Sequence, residues 1–415
     1  MGLLLRAYLL AARAIPLFGP TVLRRRLASG KELSERYREK LGVPGQPRPE
    51  GRLIWLHAVG LGEVMALRGL IAALADLAPD VAFLVTSGTR GSAEVFGANL
   101  PERCRHQFLP LDGPIYLDRF LNHWRPDLSI WAEQDLWPGA VIATARRGIP
   151  LALVNARMNA AALNRRMRWR GLYAELFAHF GLIAAQDPAS VAHLTALGAT
   201  DLRVTAPFKA AAPPLAADPQ MLDQARAALA GRLPLLLASS HPEDEAVALD
   251  AFRQIASDPR KPVLLIAPRD PKRGAEIAGK AAALGLTTGR RSAGQGPEAA
   301  DVWIVDTLGE MGLWCRLCPV TLIGGTFGPT EGHNPWEPAA LGSAILHGPR
   351  VANFAADFAM LDGAGAAQLV TPETLAAAFL SDPAPMAAKA QELSRSAQGG
   401  LAPLAADLLA LGGLR

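Results

Sequence analysis

An α/β protein made of two Rossmann-like domains is the fold this sequence predicts, and three observations carry that expectation. The chain has 415 residues, more than one domain usually holds, so two are expected. Half of its residues are hydrophobic and only 19% are charged, enough apolar material for two cores. From residue 53 onward, short apolar runs end at turns and lead into helical patterns, the alternation that builds parallel sheets.

Taken in order, residues 2–22 are apolar but interrupted by Arg6 and Arg13, and Pro16 and Pro20 limit any helix there. A helix over residues 2–15 spans roughly 21 Å, short of a hydrocarbon core of about 30 Å. Three readings stay open: a kinked span through Val22, a helix in the interface with both arginines snorkelling, and a core helix followed by a solvated basic face. No small-residue cleavage site is evident, so no signal peptide is assigned. Arg24–Arg26, Lys31, Arg36, Arg38 and Lys40 follow directly. Such a cluster favours an anionic cytoplasmic leaflet, so the catalytic bulk is expected on the cytoplasmic side of a membrane.

Leu53–Val59 reads as a buried strand, Gly60–Gly62 as a tight turn, residues 63–77 as a helix opened by Glu63, and residues 81–86 as the next strand. This β-α-β start is Rossmann-like, but the turn lacks the third glycine of a dinucleotide fingerprint. What the turn does supply is a carboxylate at a helix start, at the carboxyl end of a strand; a simple capping role for Glu63 is the competing reading. Residues 127–133 form a further strand that delivers Glu133 and then Asp135, and strands are also expected over 149–154, 181–186 and 201–205. Arg165–Arg170 holds four arginines around Trp169; it reads as a solvated helix face or as a partner for lipid phosphates. No recognised module or stacking platform for nucleic acid appears.

Residues 206–219 are rich in Ala and Pro and mark an interdomain linker carrying Lys209. A strand resumes at 235–238, followed by Ser239, Ser240 and His241 and an acidic helix start at residues 243–245. A strand at 263–267 ends in Pro268 and Arg269, and an apolar run reaches Gly325 before the loop GTFGPTEGHNPWEPAALG. Asn334 and Pro335 read there as a helix start carrying Glu337 and ended by Gly342, with another strand near Ala344. A glycine loop before a helix places free backbone N–H groups and a positive dipole end where an anion would sit. A purely structural turn reads equally well from these residues alone.

Three cysteines (Cys104, Cys315, Cys318) give no disulfide framework, and the lone Cys315–Cys318 pair reads as buried helix rather than as a zinc or redox motif. The net charge of +4 suits an anionic partner without naming one. No Asp-x-Asp string or His/Cys cluster points to a metal, and no cofactor is expected.

Several of these strings resemble motifs of the Kdo transferases, the family that adds 3-deoxy-D-manno-octulosonic acid (Kdo) to lipid A precursor. Trp55–Glu63 is similar to WxHAxSxGE, with Gly60 where the family has serine. Glu133–Pro138 is similar to ETELWP, with Asp135 for the second glutamate. Asn155–Arg157 matches NAR. Lys209 takes the lysine position of GNLK, although Ala206 and Pro207 replace the preceding residues. Leu237–Glu245 resembles the GSTHxGEE region, Pro268–Arg273 resembles PRHPER with Asp270 for histidine, and Asp306–Glu310 resembles DTMGEL. Thr330–Gly342 resembles GGHNPxEPAALG, and Asn353–Phe354 matches NF.

The resemblance implies a GT-B glycosyltransferase: an N-terminal membrane-associating helix and two Rossmann-like domains facing across a cleft. The expected divisions are a membrane-associating and basic segment at 1–44, an acceptor domain at 45–205, a linker at 206–219, a nucleotide-sugar domain at 220–395 and a helical tail at 396–415. The implied donor is CMP-Kdo, the acceptor a lipid A precursor (lipid IVA), and the partner surface the inner membrane. Implied catalytic residues are Glu63 as general base, Glu133 as transition-state support and Lys209 at the leaving phosphate. Implied nucleotide contacts are Pro268, Arg269, Gly309, Glu310, Met311, Asn334, Pro335, Trp336 and Glu337. Arg157, Ser239, Ser240 and His241 are the implied substrate contacts. A GT-B enzyme with another donor or acceptor, and an inactive membrane-bound paralogue, are the alternatives.

Overall fold

A computed structural model describes residues 1–415 apart from Asn99, Gln134 and Arg415. It divides into two compact units: Met1–Ala212 together with Ala397–Arg415, and Pro213–Ser396. The first division falls inside the Ala/Pro-rich stretch. The second falls inside a helix, so residues 397–414 belong with the first unit.

The first unit begins with helices α1 (Leu3–Ala12) and α2 (Ile15–Ala28). The expectation that prolines would stop a helix here is corrected: α2 holds Pro16 in its first turn and runs through Pro20. Pro16 sits where its N–H would have no intrahelical partner, and Pro20 forfeits one further bond. α1 is tied down. Tyr8 Oη donates to Asp112 Oδ2 at 2.7 Å, and the Gly2 N–H donates to Glu175 Oε1 at 2.6 Å. Among the described residues no single helix is long and apolar enough to cross a membrane; α1 and α2, bent by 60°, meet that test only as a pair. The basic cluster is also partly internal. Lys40 is buried against Glu32 at 2.7 Å, Arg26 reaches the same carboxylate at 2.6 Å, and Arg36 pairs with Glu39 at 2.8 Å.

The sheet of this unit is built from β1 (Leu53–His57), β2 (Ala82–Ser87), β3 (Cys104–Phe108), β4 (Leu128–Ala132), β5 (Leu151–Ala156), β6 (Phe180–Ala185) and β7 (Leu202–Val204). The intervening helices are α3 (Leu61–Leu77), α4 (Arg90–Ala98), α5 (Pro114–Trp124), α6 (Pro138–Ala145), α7 (Ala160–Met167), α8 (Arg170–Phe177) and α9 (Pro188–Leu197). Strand order is β3-β2-β1-β4-β5-β6-β7, and every recorded pairing is parallel. Continuous apolar runs such as LIWLH in β1 are the signature of strands covered on both faces. Trp55, Phe120 and Trp131 pack edge-on, with ring centroids 4.9 and 5.5 Å from Trp55, geometry favoured by the ring quadrupoles.

The second unit opens with α10 (Pro219–Ala228), followed by β8 (Leu233–Ser240), α11 (Pro242–Ile255), β9 (Pro262–Pro268), α12 (Gly274–Ala283), β10 (Thr288–Arg290), β11 (Val302–Ile304), α13 (Met311–Leu317) and β12 (Val320–Ile323). Then come α14 (Trp336–Ala340), β13 (Ala344–His347), α15 (Ala355–Gly363), β14 (Ala367–Leu369), α16 (Leu375–Leu380) and the first part of α17 (Ala384–Gly399). Strand order is β10-β11-β9-β8-β12-β13-β14. Period-two alternation splits the core cleanly. Leu235, Leu237, Leu264 and Ile266 face one side with Phe252 and Leu375. Leu236, Val263, Leu265 and Trp303 face the other with Leu313 and Trp314. Each fully buried Leu or Ile contributes on the order of 1.5–3 kcal/mol, so both faces must stay covered. The chain closes with α18 (Leu401–Leu411), which packs against α3 of the first unit.

Candidate active site

In both sheets the strand order reverses direction at one point: between β1 and β4 in the first, between β8 and β12 in the second. Loops that leave the carboxyl ends of strands at such a point diverge and open a crevice. The sequence-predicted residues gather at these two places.

In the first unit Glu63 follows β1 and Glu133 follows β4. Glu63 occupies the first turn of α3, where Oε2 accepts from the backbone N–H of Val59 at 3.0 Å and of Gly60 at 3.1 Å. Gly60 has no side chain with which to return the cap, so only the glutamate half of a capping box is present. Among the described residues no protein group donates to Oε1, which leaves half of the carboxylate for substrate. Glu133 stands at φ 65°, a left-handed conformation that costs a non-glycine residue about 1–2 kcal/mol. Such strain concentrates at functional sites. Its N–H is held by Val154 O at 3.0 Å.

The electrostatics of this cluster are unbalanced. Burial, then the Glu63 charge, pushes the Glu133 carboxyl up to about 7, against the pull of Lys209 and Arg157. Asp135 is raised as well, by burial and then by Glu63, with Arg166 opposing. Lys209 reaches the cluster because the turn that carries it folds back on the sheet. Asn155, itself at φ 52°, accepts the Phe208 N–H at 3.0 Å through its side-chain oxygen. Lys209 Cε then lies 3.9 Å from where a Cβ on Gly62 would stand. Glu63, Glu133, Arg157 and Lys209 therefore form one electrostatic group.

In the second unit a pocket of about 340 Å³ is lined by Ser239, Arg269, Met311, His333, Asn334 and Glu337, among others. Asn334 Oδ1 accepts the Trp336 N–H at 3.1 Å, and its Nδ2 donates to Glu337 Oε1 at 3.3 Å. The Glu337 carboxyl is raised by burial, with Asn334 and Arg269 opposing. His241 and His333 meet Nε2 to Nε2 at 2.9 Å. Burial, then His241, then Arg269, lowers His333 to about 4, so at neutral pH the two rings share a single N–H between them. Ser239 is a second strand-end residue in the left-handed region, at φ 56°.

Several of the expected contact residues are engaged within the protein itself. The glycine loop was read as presenting free N–H groups to an anion. Those groups are taken: the buried carboxylate of Asp244 accepts from Gly325 at 2.6 Å, Thr326 at 3.1 Å and Phe327 at 3.0 Å, and also caps α11 at His241. The Trp336 ring lies in the core, with its indole N–H on Asp357 at 2.8 Å. Ser240 is buried and donates to Glu245 at 3.0 Å. Glu310 is spent on Arg291 at 2.5 and 2.6 Å and on the Thr307 hydroxyl. Pro268 is buried, and Gly309 at φ 83° shapes the turn before α13. Pro335, also buried, sets the entry to α14. Of the expected nucleotide contacts, Arg269, Met311, Asn334 and Glu337 share the pocket; His333 joins them without having been singled out. Asp244 was legible only as part of an acidic helix start.

Residues 35–212 match the family model described as 3-deoxy-D-manno-octulosonic-acid transferase (kdotransferase). A 3-deoxy-D-manno-octulosonic acid transferase from Rickettsia bellii is 33% identical over 78% of this chain and 77% of its own length. The chain belongs to the Kdo transferase family. A second relative of the same name, from Bordetella pertussis, is 34% identical over 74% of each chain. As a Kdo transferase family member the chain is a glycosyltransferase. Its GT-B fold is shared with the calicheamicin glycosyltransferase CalG4, at 15% identity and a TM-score of 0.53 over 88% of this chain and 99% of that one. Among Kdo transferase motifs, the departures at Gly60 and Asp135 fall in the carboxylate group. The departure at Asp270 falls beside Arg269, where its carboxylate caps the turn by accepting the Lys272 N–H at 3.1 Å.

Proposed function

We propose that this chain transfers Kdo from CMP-Kdo to a hydroxyl of a lipid A precursor, lipid IVA, in lipopolysaccharide biosynthesis. The observation that carries the mechanism is the Glu63–Glu133 pair. Burial, then the Glu63 charge, raises Glu133 to about 7, while among the described residues no protein group donates to Glu63 Oε1. Glu63 takes the proton of the acceptor hydroxyl. The hydroxyl oxygen forms a bond to the anomeric carbon of Kdo as the bond from that carbon to the phosphate oxygen breaks, and CMP leaves with the electron pair. Glu133 and Lys209 stabilise the charge that develops at the sugar and the departing phosphate. In the second unit Arg269, Met311, Asn334 and Glu337 hold the nucleotide sugar, and Ser239 with the His241–His333 pair supports its polar groups.

We place the enzyme on the cytoplasmic face of the inner membrane. Exposed Leu3, Leu10, Leu17, Phe18 and Val22 on α1 and α2 support this, as do exposed Arg24 and Arg25 in the last turns of α2. The test is transfer by the purified protein, with product mass as the readout, offering CMP-Kdo or UDP-sugars with tetra-acylated lipid A precursor. Kdo addition from CMP-Kdo alone is expected. Transfer from a UDP-sugar only, or no cytidine-nucleotide binding, overturns the reading.

A further inference from the structure

Beneath α2 lies a second cavity of the first unit, about 380 Å³, whose wall includes Ile15, Phe18 and Val22 of α2, Leu109, Val59 and Trp137. On its wall Phe18 and Val22 are 54% and 48% exposed, so this part of the wall reaches solvent. The wall also includes Val59, whose N–H is the one held by Glu63 Oε2 at 3.0 Å, and Trp137, four residues beyond Glu133.

The charged groups on the wall are already engaged, with Lys40 and Arg26 sharing the carboxylate of Glu32. Lys40 donates to Glu32 at 2.7 Å and to Gly88 O at 3.1 Å, and Arg26 donates to Glu32 at 2.6 Å. Asp112 is consumed by Tyr8 and by the Gly139 and Ala140 N–H groups, each at 2.7 Å. His57 is held neutral, lowered to about 4 by burial. Apart from His57 Nε2, which has no hydrogen-bond partner among the described residues, the polar groups of the wall are engaged, and the slot offers an occupant mainly apolar contact. Its wall joins exposed apolar residues of α2 to Val59, whose N–H the proposed base holds.

We infer that this cavity receives one acyl chain of the lipid acceptor, so that it sets acceptor specificity by chain length and holds the acceptor hydroxyl near Glu63. The inference rests on the transferase reading above and adds the site that distinguishes a lipid from a water-soluble sugar. An acyl chain suits it better than a headgroup, because most of its lining is apolar and its buried cation, Lys40, is already held by Glu32 and Gly88 O.

The test uses the full chain in mixed micelles, with acceptors bearing full-length or trimmed acyl chains, and separately a fluorescent long-chain fatty acid. Wild-type protein is expected to favour the full-length acceptor in kcat/KM and to bind the fatty acid. Val22→Trp, which adds bulk at the exposed part of the wall, is expected to cut that preference about tenfold and to weaken fatty-acid binding by a similar factor, the worth of about two methylenes left in water. Phe18→Asp, which charges the same part, is the second variant and is expected to act alike; thermal unfolding checks that both fold. Equal kcat/KM on the two acceptors, or fatty-acid binding that neither variant alters, overturns the inference. If wild-type protein transfers Kdo to neither acceptor, the transferase reading fails, and the fatty-acid arm alone then decides the cavity.

Discussion

The carboxylate of Asp244 lies 2.6 Å from the backbone nitrogen of Gly325, across a sequence separation of 81 residues. A glycine loop that would otherwise receive a phosphate is filled by an internal anion. In the proposed reading the nucleotide sugar is left to the neighbouring pocket, which Arg269 lines. Removing Asp244 strands four N–H donors. Asp244→Ala is therefore expected to cost about 3 kcal/mol or more and to abolish CMP binding. Denaturant unfolding and calorimetric titration with CMP check both parts; full CMP affinity in a stable variant would show that the loop order does not depend on this plug.

Glu63→Gln keeps an oxygen that can accept from Val59 and Gly60 but loses the proposed base. Transfer is expected to fall by about 10²–10⁴-fold, with the melting temperature changed little. Steady-state kinetics beside a thermal scan reads this. A variant with near wild-type kcat would remove Glu63 from the proton-transfer step.

Glu133 makes stability depend on pH in a defined direction. Its folded-state pKa, about 7, stands above the ordinary value of 4.5. Below both values the carboxyl is protonated in either state and has no effect. As pH rises from about 4.5 to about 7 the unfolded chain releases the proton first, so stability is lost over that window and then levels off. Glu133→Gln is expected to gain on the order of 1 kcal/mol relative to wild type at pH 8, after solvent screening, and nothing at pH 4. Urea unfolding at the two pH values measures the difference.

Gly60→Ser is expected to be tolerated. The Gly60 backbone is extended at φ −89°, and an added Cβ meets only Glu63 Oε1 at 3.5 Å and Cδ at 3.7 Å, ordinary contact. The hydroxyl would complete the capping box, so a gain of a few tenths of a kcal/mol is expected. A loss of more than about 1 kcal/mol in chemical denaturation would mean the turn needs glycine for another reason.

Sequence reading found β1, β2, β4, β5, β6, β7, β8, β9, β12 and β13, most of them uniform apolar runs. Those it missed were β3 (CRHQF), β10 (TGR) and β14 (AQL), all at sheet edges, and β11, only three residues long. Edge strands are short and polar because one side has no neighbour to pack against, and that erases the pattern a reader relies on. Within the site, Glu63 and Glu133 were legible because each follows a strand closely in sequence. The Asp244 plug and the His241–His333 contact join residues 81 and more apart, and no local pattern encodes such a meeting. Trp336 misled for the opposite reason: it lies in the right string, but its ring turns into the core.

The chain leaves the first unit at Ala212 and re-enters it at Ala397, and α18 lies against α3, with Arg203 paired to Asp407 and Leu411 beside Gly181. On the ribosome, the unit begun first is thus finished last: its core stays incomplete while the whole second unit is being synthesised. A premature stop, or a bulky tag that displaces the closing helix, would injure the half of the enzyme that carries Glu63, far away in sequence.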